Sequence, residues 1–393
     1  MIKLSDFGIT AKRGFLPAHD PLSASIHFPT LKTVAQELPK LIACRQVSEW
    51  LKNFELPFPT ENCIIEDYQY AARILSFLGH GYVWEDPQNP KDRIPENLAQ
   101  PWVQVMSQLD RPPVLSYASY AMDNWCRLNN NEAIELGNIA LLQNFLGGLD
   151  EEWFILIHVS IEAKAGEALD GIIEALQACS KNEIEKVVQA LSKTASAQEQ
   201  MNKTLTRMGE RCDPYIYFNR VRPYIHGWKD SPALPNGVIY EGVAEFKQQP
   251  QKFRGETGAQ SAIIPVLDAA FGVQHGDDPL VHYLREMRDY MPPKHRDFIH
   301  KLENIKTNDG RPLLLAYILD NKKKQNQLWQ VFSDCINQLV RFRTIHYEYA
   351  DQYIHKQSKK NSTNPTDVGT GGTPFMRYLK KHLEDTKELL KLH

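Results

Sequence analysis

Two histidines stand where helices ought to carry aliphatic residues. From Leu328, one face of a helical repeat reads Leu328, Phe332, Cys335, Leu339, Phe342, His346, Tyr349 and Tyr353, in steps of four and three. That spacing lays residues along one inward stripe of an amphipathic helix. Gln330, Asp334, Asn337, Arg341, Glu348 and Asp351 fall on the opposite, solvated face. An imidazole on the inward stripe has lost water and needs a partner. Either it bonds a carbonyl in the core, or it ligates a metal, as a proximal histidine does on a haem iron. His158 repeats the pattern inside Phe154-Ile155-Leu156-Ile157-His158-Val159-Ser160-Ile161. Two helix-borne imidazoles in apolar settings suit a flat apolar cofactor with one on each side, although sequence does not make them face each other. A simple metal cage is disfavoured: no HxxxH or HExxH occurs, and His295 and His300 lie five apart, on different faces.

The elements that must position these residues fall into two modules. The first 60 residues hold Pro17, Pro21, Pro29, Pro39, Pro57 and Pro59, so helices there must be short, and residues 1–145 are expected to form a small mixed N-terminal domain. From residue 146 to 393 the helical period dominates, and this larger domain reads as all-α, making the protein mainly α. Ser180-Lys181-Asn182-Glu183 has the form of a capping box. Asp278-Pro279 should open a helix running to Tyr290 and stopping at Met291-Pro292-Pro293. Residues 355–373 are polar and without periodicity, and are expected to be a mobile loop. Its Gly369-Thr370-Gly371-Gly372-Thr373 end would let backbone amides approach a carboxylate or propionate, although glycine-rich loops more often simply turn.

Composition removes several function classes. The 393 residues are 42% apolar and 24% charged, with a net charge of −3. Nothing there offers a basic track for nucleic acid. The six cysteines are scattered, with no CxxC pair, which argues against a zinc cage or thioredoxin-type site and suits reduced core thiols of a cytoplasmic protein. The N-terminus lacks a secretory apolar stretch, and the run around Trp153 to Ile161 is too short for a membrane span.

Seven ordered runs then carry a resemblance. They are Pro112-Pro113-Val114-Leu115-Ser116-Tyr117-Ala118, Pro214 through Arg222 to Gly227-Trp228, Tyr240-Glu241-Gly242-Val243, Gly255-Glu256-Thr257-Gly258-Ala259-Gln260-Ser261, Met287 through Arg296, Arg343-Thr344-Ile345-His346, and Gly369 through Thr373. From about Pro112 to the C-terminus the chain resembles the indoleamine 2,3-dioxygenase family of haem enzymes, while the first hundred residues match weakly. The resemblance implies a b-type haem with His346 as proximal ligand. It implies Arg343 at a propionate with Asp268 as carboxylate partner, and Thr257 and Gly258 bordering the haem. It also implies Arg222 on the substrate carboxylate, Tyr117, Tyr217 and Phe218 against the indole, and Thr370 near the amino-acid end. Three departures stand out. His158 falls where mammalian members carry serine, and related tryptophan dioxygenases have a distal histidine. Tyr217 replaces a usual phenylalanine, and Tyr120 a small residue near the distal pocket.

The expectation is therefore a haem dioxygenase, monomeric or weakly self-associating, that uses O₂ to open the indole C2–C3 bond of L-tryptophan or a related indoleamine. His158 would sit beside the substrate. A pathway oxygenase acting on a modified tryptophan, and a haem-binding protein without turnover, remain as alternatives.

Overall fold

A computed structural model describes residues 2–276, 279–358 and 375–392. Helices dominate it. In the first 145 residues the main ones are Leu31–Ala43, Ile65–Val83 and Glu96–Gln108, with one two-stranded antiparallel pair, Trp125–Arg127 against Ile139–Leu141. Residues Arg93–Ile94 pair in parallel with Ile239–Tyr240, which ties the early part of the chain to the later part. In the first 60 residues proline limits helices less than expected: Pro39 lies inside the 13-residue Leu31–Ala43 helix.

Two long helices form the frame for the rest. Leu149–Ser180 opens on Asp150, Glu151 and Glu152, turns nearly all apolar from Trp153 to Ile161, and packs along Ile184–Leu205. Asn326–Ala350 lies against the second of these, and Phe375–Glu388 lies against Asn326–Ala350. The expected capping box is absent. Ser180 ends the first long helix, and its Oγ donates back to the Gln177 carbonyl at 2.7 Å. Asn182 then takes a left-handed conformation at φ 58°, which a short polar side chain tolerates, and a new helix starts after Glu183. The tight turn, rather than a side-chain cap, sets this boundary.

The helix opening at Pro279 ends at Met287 and passes through a 3-10 turn to Tyr290, as expected, while Asp278 lies outside the described residues. The described start of the expected 355–373 loop is helical instead. Residues Asp351–His355 form a π-helical turn and Lys356–Ser358 continue as helix, and residues 359–374, including Thr370, lie outside the described residues. Of the cysteines, none of which is in a disulfide, Cys179, Cys212 and Cys335 are buried, but Cys44 is exposed and Cys63 and Cys126 are half-buried.

Apolar residues from Leu4 to Leu389 form one continuous core that crosses residue 145. The N-terminal turn seals against the first long helix at a pair of glycines. A Cβ on Gly14 would stand 1.9 Å from the Glu162 carbonyl, and one on Gly166 would stand 2.3 Å from the Ala11 carbonyl, so only hydrogen permits that approach. Among the described residues, no helix is long and apolar enough to cross a membrane.

Candidate active site

The Leu149–Ser180 helix presents Phe154, His158 and Glu162 at four-residue steps, hence on one face. His158 Nδ1 lies 2.7 Å from the Phe154 carbonyl. A carbonyl can only accept, so the ring proton sits on Nδ1 and Nε2 carries the lone pair. Burial pushes the imidazole pKa down, with the carbonyl bond pulling the other way, and the neutral form prevails.

His346 comes from the Asn326–Ala350 helix. Leu328, Phe332, Cys335 and Leu339 of its stripe are sealed in the core, while Phe342 and Tyr349 are half-covered and His346 is exposed. Yet burial pushes the His346 pKa down to about 4, and the charges of His158 and Arg343 add to the effect. A side chain at once uncovered and poorly hydrated faces a cleft inside the protein, not bulk water. The electrostatic coupling puts His158 near the same cleft.

Arg343, one turn before His346, is buried and donates through Nη2 to both oxygens of Asp268, at 2.8 and 2.6 Å. Burial raises the Asp268 pKa, but the Arg343 charge and the His275 hydrogen bond outweigh it and hold the carboxyl below the usual range. Arg343 Nη1 reaches the His382 carbonyl at 2.8 Å and Thr386 Oγ1 at 2.5 Å. His275 bridges Asp268 to Asp385 and stacks on His382 with ring centres 4.0 Å apart. The expected Arg343–Asp268 pair thus exists, and it also anchors the C-terminal helix, a role with no sequence signal.

Aromatic rings surround His158. The Phe154 ring lies 4.6 Å from His158, 4.6 Å from Tyr217 and 6.4 Å from Tyr120, and Tyr117 meets His158 edge-on at 5.9 Å. Phe218 is fully buried with the Arg222 guanidinium 5.4 Å above its ring. Arg222 is itself 0% exposed, which excludes a surface arginine in an open turn, and burial pushes its pKa down to about 10 while Tyr217 opposes the shift. Tyr120, Tyr217, Phe218 and Tyr353 all sit on π-helical turns, Ala118–Met122, Tyr217–Val221 and Asp351–His355. Such bulges widen a helix locally and recur at functional sites, and residue spacing does not announce them.

Thr257 is half-buried, and Gly258 is exposed with open space where its Cβ would be. Ser261, at the end of that turn, donates to Glu162 Oε1 at 2.6 Å, and Tyr117 OH donates to the same oxygen at 2.9 Å. Those bonds bring the Thr257–Ser261 turn to the His158 face of the long helix. Burial raises the Glu162 pKa to about 7 against both bonds, and raises that of Glu256 to about 8. Tyr117, Tyr120 and Tyr217 all feel the Glu256 charge. Phe154, Glu162, Glu256 and Ser261 were not singled out as site residues from sequence. Their signals were present, as the four-residue step from Phe154 through His158 to Glu162 and as charge inside otherwise apolar or small-residue runs.

The donor set fits a haem: an uncovered imidazole crowded by protein, open space beside Gly258, and a buried guanidinium one turn from the imidazole. Among the described residues no group of three or more acidic, cysteine or histidine side chains could hold a bare metal ion instead.

Comparison with known proteins follows this geometry. Residues 3–389 match the family model described as Indoleamine 2,3-dioxygenase, so the match starts well ahead of Pro112. The chain is 30% identical to "Indoleamine 2,3-dioxygenase 2" of Homo sapiens, over 98% of this chain and 95% of that one. It is 28% identical to "6-hydroxytryptophan 2,3-dioxygenase fscD" of Fusarium equiseti, over 100% and 98% of the two chains. It is also 28% identical to a protein named "Myoglobin" from Haliotis madaka, over 99% of each.

Proposed function

Since this chain belongs to the indoleamine 2,3-dioxygenase family, we propose that it is a cytosolic haem dioxygenase opening the C2–C3 bond of L-tryptophan to an N-formylkynurenine-type product. The observation that supports this most is the pair His346 and His158. The first is uncovered yet dehydrated, and the second is neutral with its Nε2 lone pair available at the same cleft.

Haem bound at His346 supplies the binding and activation of O₂. The chain's own residues do the rest. Arg343, with Asp268 beside it, offers positive charge for a propionate. Tyr117, Tyr217 and Phe154 flank the indole and exclude water from it. His158 Nε2 accepts a hydrogen bond from the indole N–H and fixes which ring edge faces the oxygen. Arg222 holds the substrate carboxylate, for which a guanidinium is suited by its parallel N–H groups. By the family resemblance, Thr370 would serve the amino-acid end.

The test is product mass spectrometry of the haem-loaded protein under ¹⁸O₂. Two labelled oxygens in one product are expected. One labelled oxygen would mean monooxygenation, and no product with reversible O₂ binding would mean a carrier, the reading that the myoglobin-named relative favours.

A second reading concerns the substrate. The Tyr120 hydroxyl is fully buried with no hydrogen-bond partner, close to Phe154. It would pair with a polar substituent on the indole ring, in keeping with the name of the Fusarium relative. Rates for L-tryptophan and 6-hydroxytryptophan compared on one preparation separate the two.

A further inference from the structure

A cavity of about 410 Å³ is lined by the ends of the Ala118–Met122 turn, the N-terminal segment, the Ile65–Val83 helix and the start of the Pro293–Glu303 helix. Its size is within the range of small-molecule sites, roughly 300–1,000 Å³. The walls are apolar over much of their area, through Phe15, Leu16, Leu109 and Met122.

Its buried polar groups do not balance. Arg73 and Arg111 line it, and both are more than nine-tenths buried. Arg73 spends its Nη atoms on the carbonyls of Asp123 and Leu22, and its buried Nε has no hydrogen-bond partner. Arg111 has only long contacts, 3.8 Å from Nη2 to Asp123 and 3.5 Å from Nη1 to Ser116. Asp123 is the one carboxylate shared by both, and burial raises its pKa to about 6 against the two arginines. The Tyr70 hydroxyl, on a residue 1% exposed, also lacks a partner. Of the other lining carboxylates, Asp20 is held by Arg13 and Arg127, Asp110 pairs with Arg296, and Glu66 is only half-buried and so keeps water. Two guanidinium groups against one buried carboxylate leave one positive charge uncompensated, and such a charge is costly to bury.

We propose that this cavity binds a small organic acid, a single carboxylate on an apolar body, with Arg111, Arg73 Nε and the Tyr70 hydroxyl receiving the carboxylate. One negative charge completes the ionic set, and the apolar walls take the body. A phosphate dianion would overcompensate the charge and leave those walls facing a polar ligand.

Calorimetric titration of the full chain tests this, with 3-phenylpropionate and its neutral amide as probes. The carboxylate is expected to bind and the amide to bind at least tenfold more weakly, since the recognition is charge-assisted. Arg111→Gln should weaken the carboxylate by roughly tenfold or more, with Arg111→Lys recovering part of the loss. Arg222→Ala should leave binding unchanged, which separates this cavity from the substrate site. Should Arg111→Gln not fold, Tyr70→Phe carries the test: it removes one unpartnered hydroxyl, breaks no existing bond, and should still weaken binding several-fold. Equal binding of acid and amide, binding lost in Arg222→Ala but kept in Arg111→Gln or Tyr70→Phe, or tighter binding of inorganic phosphate than of the acid would each overturn the assignment.

Discussion

The Nδ1 of His158 stands 2.7 Å from the carbonyl oxygen of Phe154, one helical turn back, so the backbone itself fixes the ring's tautomer. Nε2 is left as a neutral acceptor among aromatic rings. His158→Ser removes that acceptor while keeping a small hydroxyl on the same face. Turnover of L-tryptophan should fall several-fold without vanishing, and 1-methyltryptophan, which has no N–H to offer, should be disfavoured less than before. Unchanged discrimination between the two substrates would mean that Nε2 does not meet the indole nitrogen.

His346→Ala should keep the helical content of the protein and lose most of its haem affinity. The residue's neighbours on the stripe, Leu339 and Phe332, are packed independently of it, so the helix does not depend on the imidazole. Far-UV circular dichroism and the Soret band measure the two effects separately. A ferrous-CO spectrum unchanged from the parent protein would remove His346 as proximal ligand.

Arg222 is fully buried over Phe218 and beside Tyr217. Truncating one partner of a desolvated charge pair costs roughly 2–5 kcal/mol, so Arg222→Ala should raise KM for L-tryptophan more than tenfold. Tryptamine, which lacks the carboxylate, should be affected far less. Equal damage to both substrates would place the carboxylate anchor on another residue.

How much of this was legible in the chain depends on what each residue's role rests on. The His346 stripe is periodic, and periodicity survives in sequence, so its inward placement could be read there. That its outer half borders a cleft depends on helices more than a hundred residues away. The Arg343–Asp268 pair was available only through family resemblance, and its link to Thr386 and His382 arises from the docking of the C-terminal helix. The capping-box pattern at Ser180 failed because the preceding helix extends to its first residue, which is a helix end and not a helix start. The π-helical turns under Tyr120 and Tyr217 leave no trace in spacing, since one extra residue in a turn looks like any other residue.

Glu162 gives the protein a pH dependence of its own. A glutamate carboxyl titrates near 4.5 when unburied, and burial holds this one near 7. The folded state therefore keeps a proton that the unfolded chain has lost. Its contribution to stability is full below 4.5 and declines as pH rises toward 7. At about 1.4 kcal/mol per unit of difference, the loss across that window is on the order of 3 kcal/mol. Glu162→Gln has no proton to lose, and its Oε1 can still accept from Tyr117 and Ser261. The urea midpoint of the parent should drop more between pH 5 and pH 8 than that of Glu162→Gln, because the histidines and other carboxyls titrate alike in both. An identical drop would mean that Glu162 is ionised in the folded protein throughout.

Tyr120 tests which substrate the pocket is built for. Its ring packs between Phe77, Phe145 and Phe154, and its hydroxyl is buried with no hydrogen-bond partner. An unmet buried hydroxyl costs about 1–3 kcal/mol, so Tyr120→Phe should leave the substrate-free protein as stable as the parent or more stable, read as a higher Tm. Where that hydroxyl serves a ring substituent, the variant should lose discrimination several-fold, measured as the ratio of kcat/KM for 6-hydroxytryptophan to that for L-tryptophan. Plain L-tryptophan carries nothing for the hydroxyl to bind, and its kcat/KM should stay within about twofold, since an interaction that is never made cannot be lost. A ratio that does not move, together with a raised Tm, would make the hydroxyl a packing feature of the distal wall and leave L-tryptophan as the better fit.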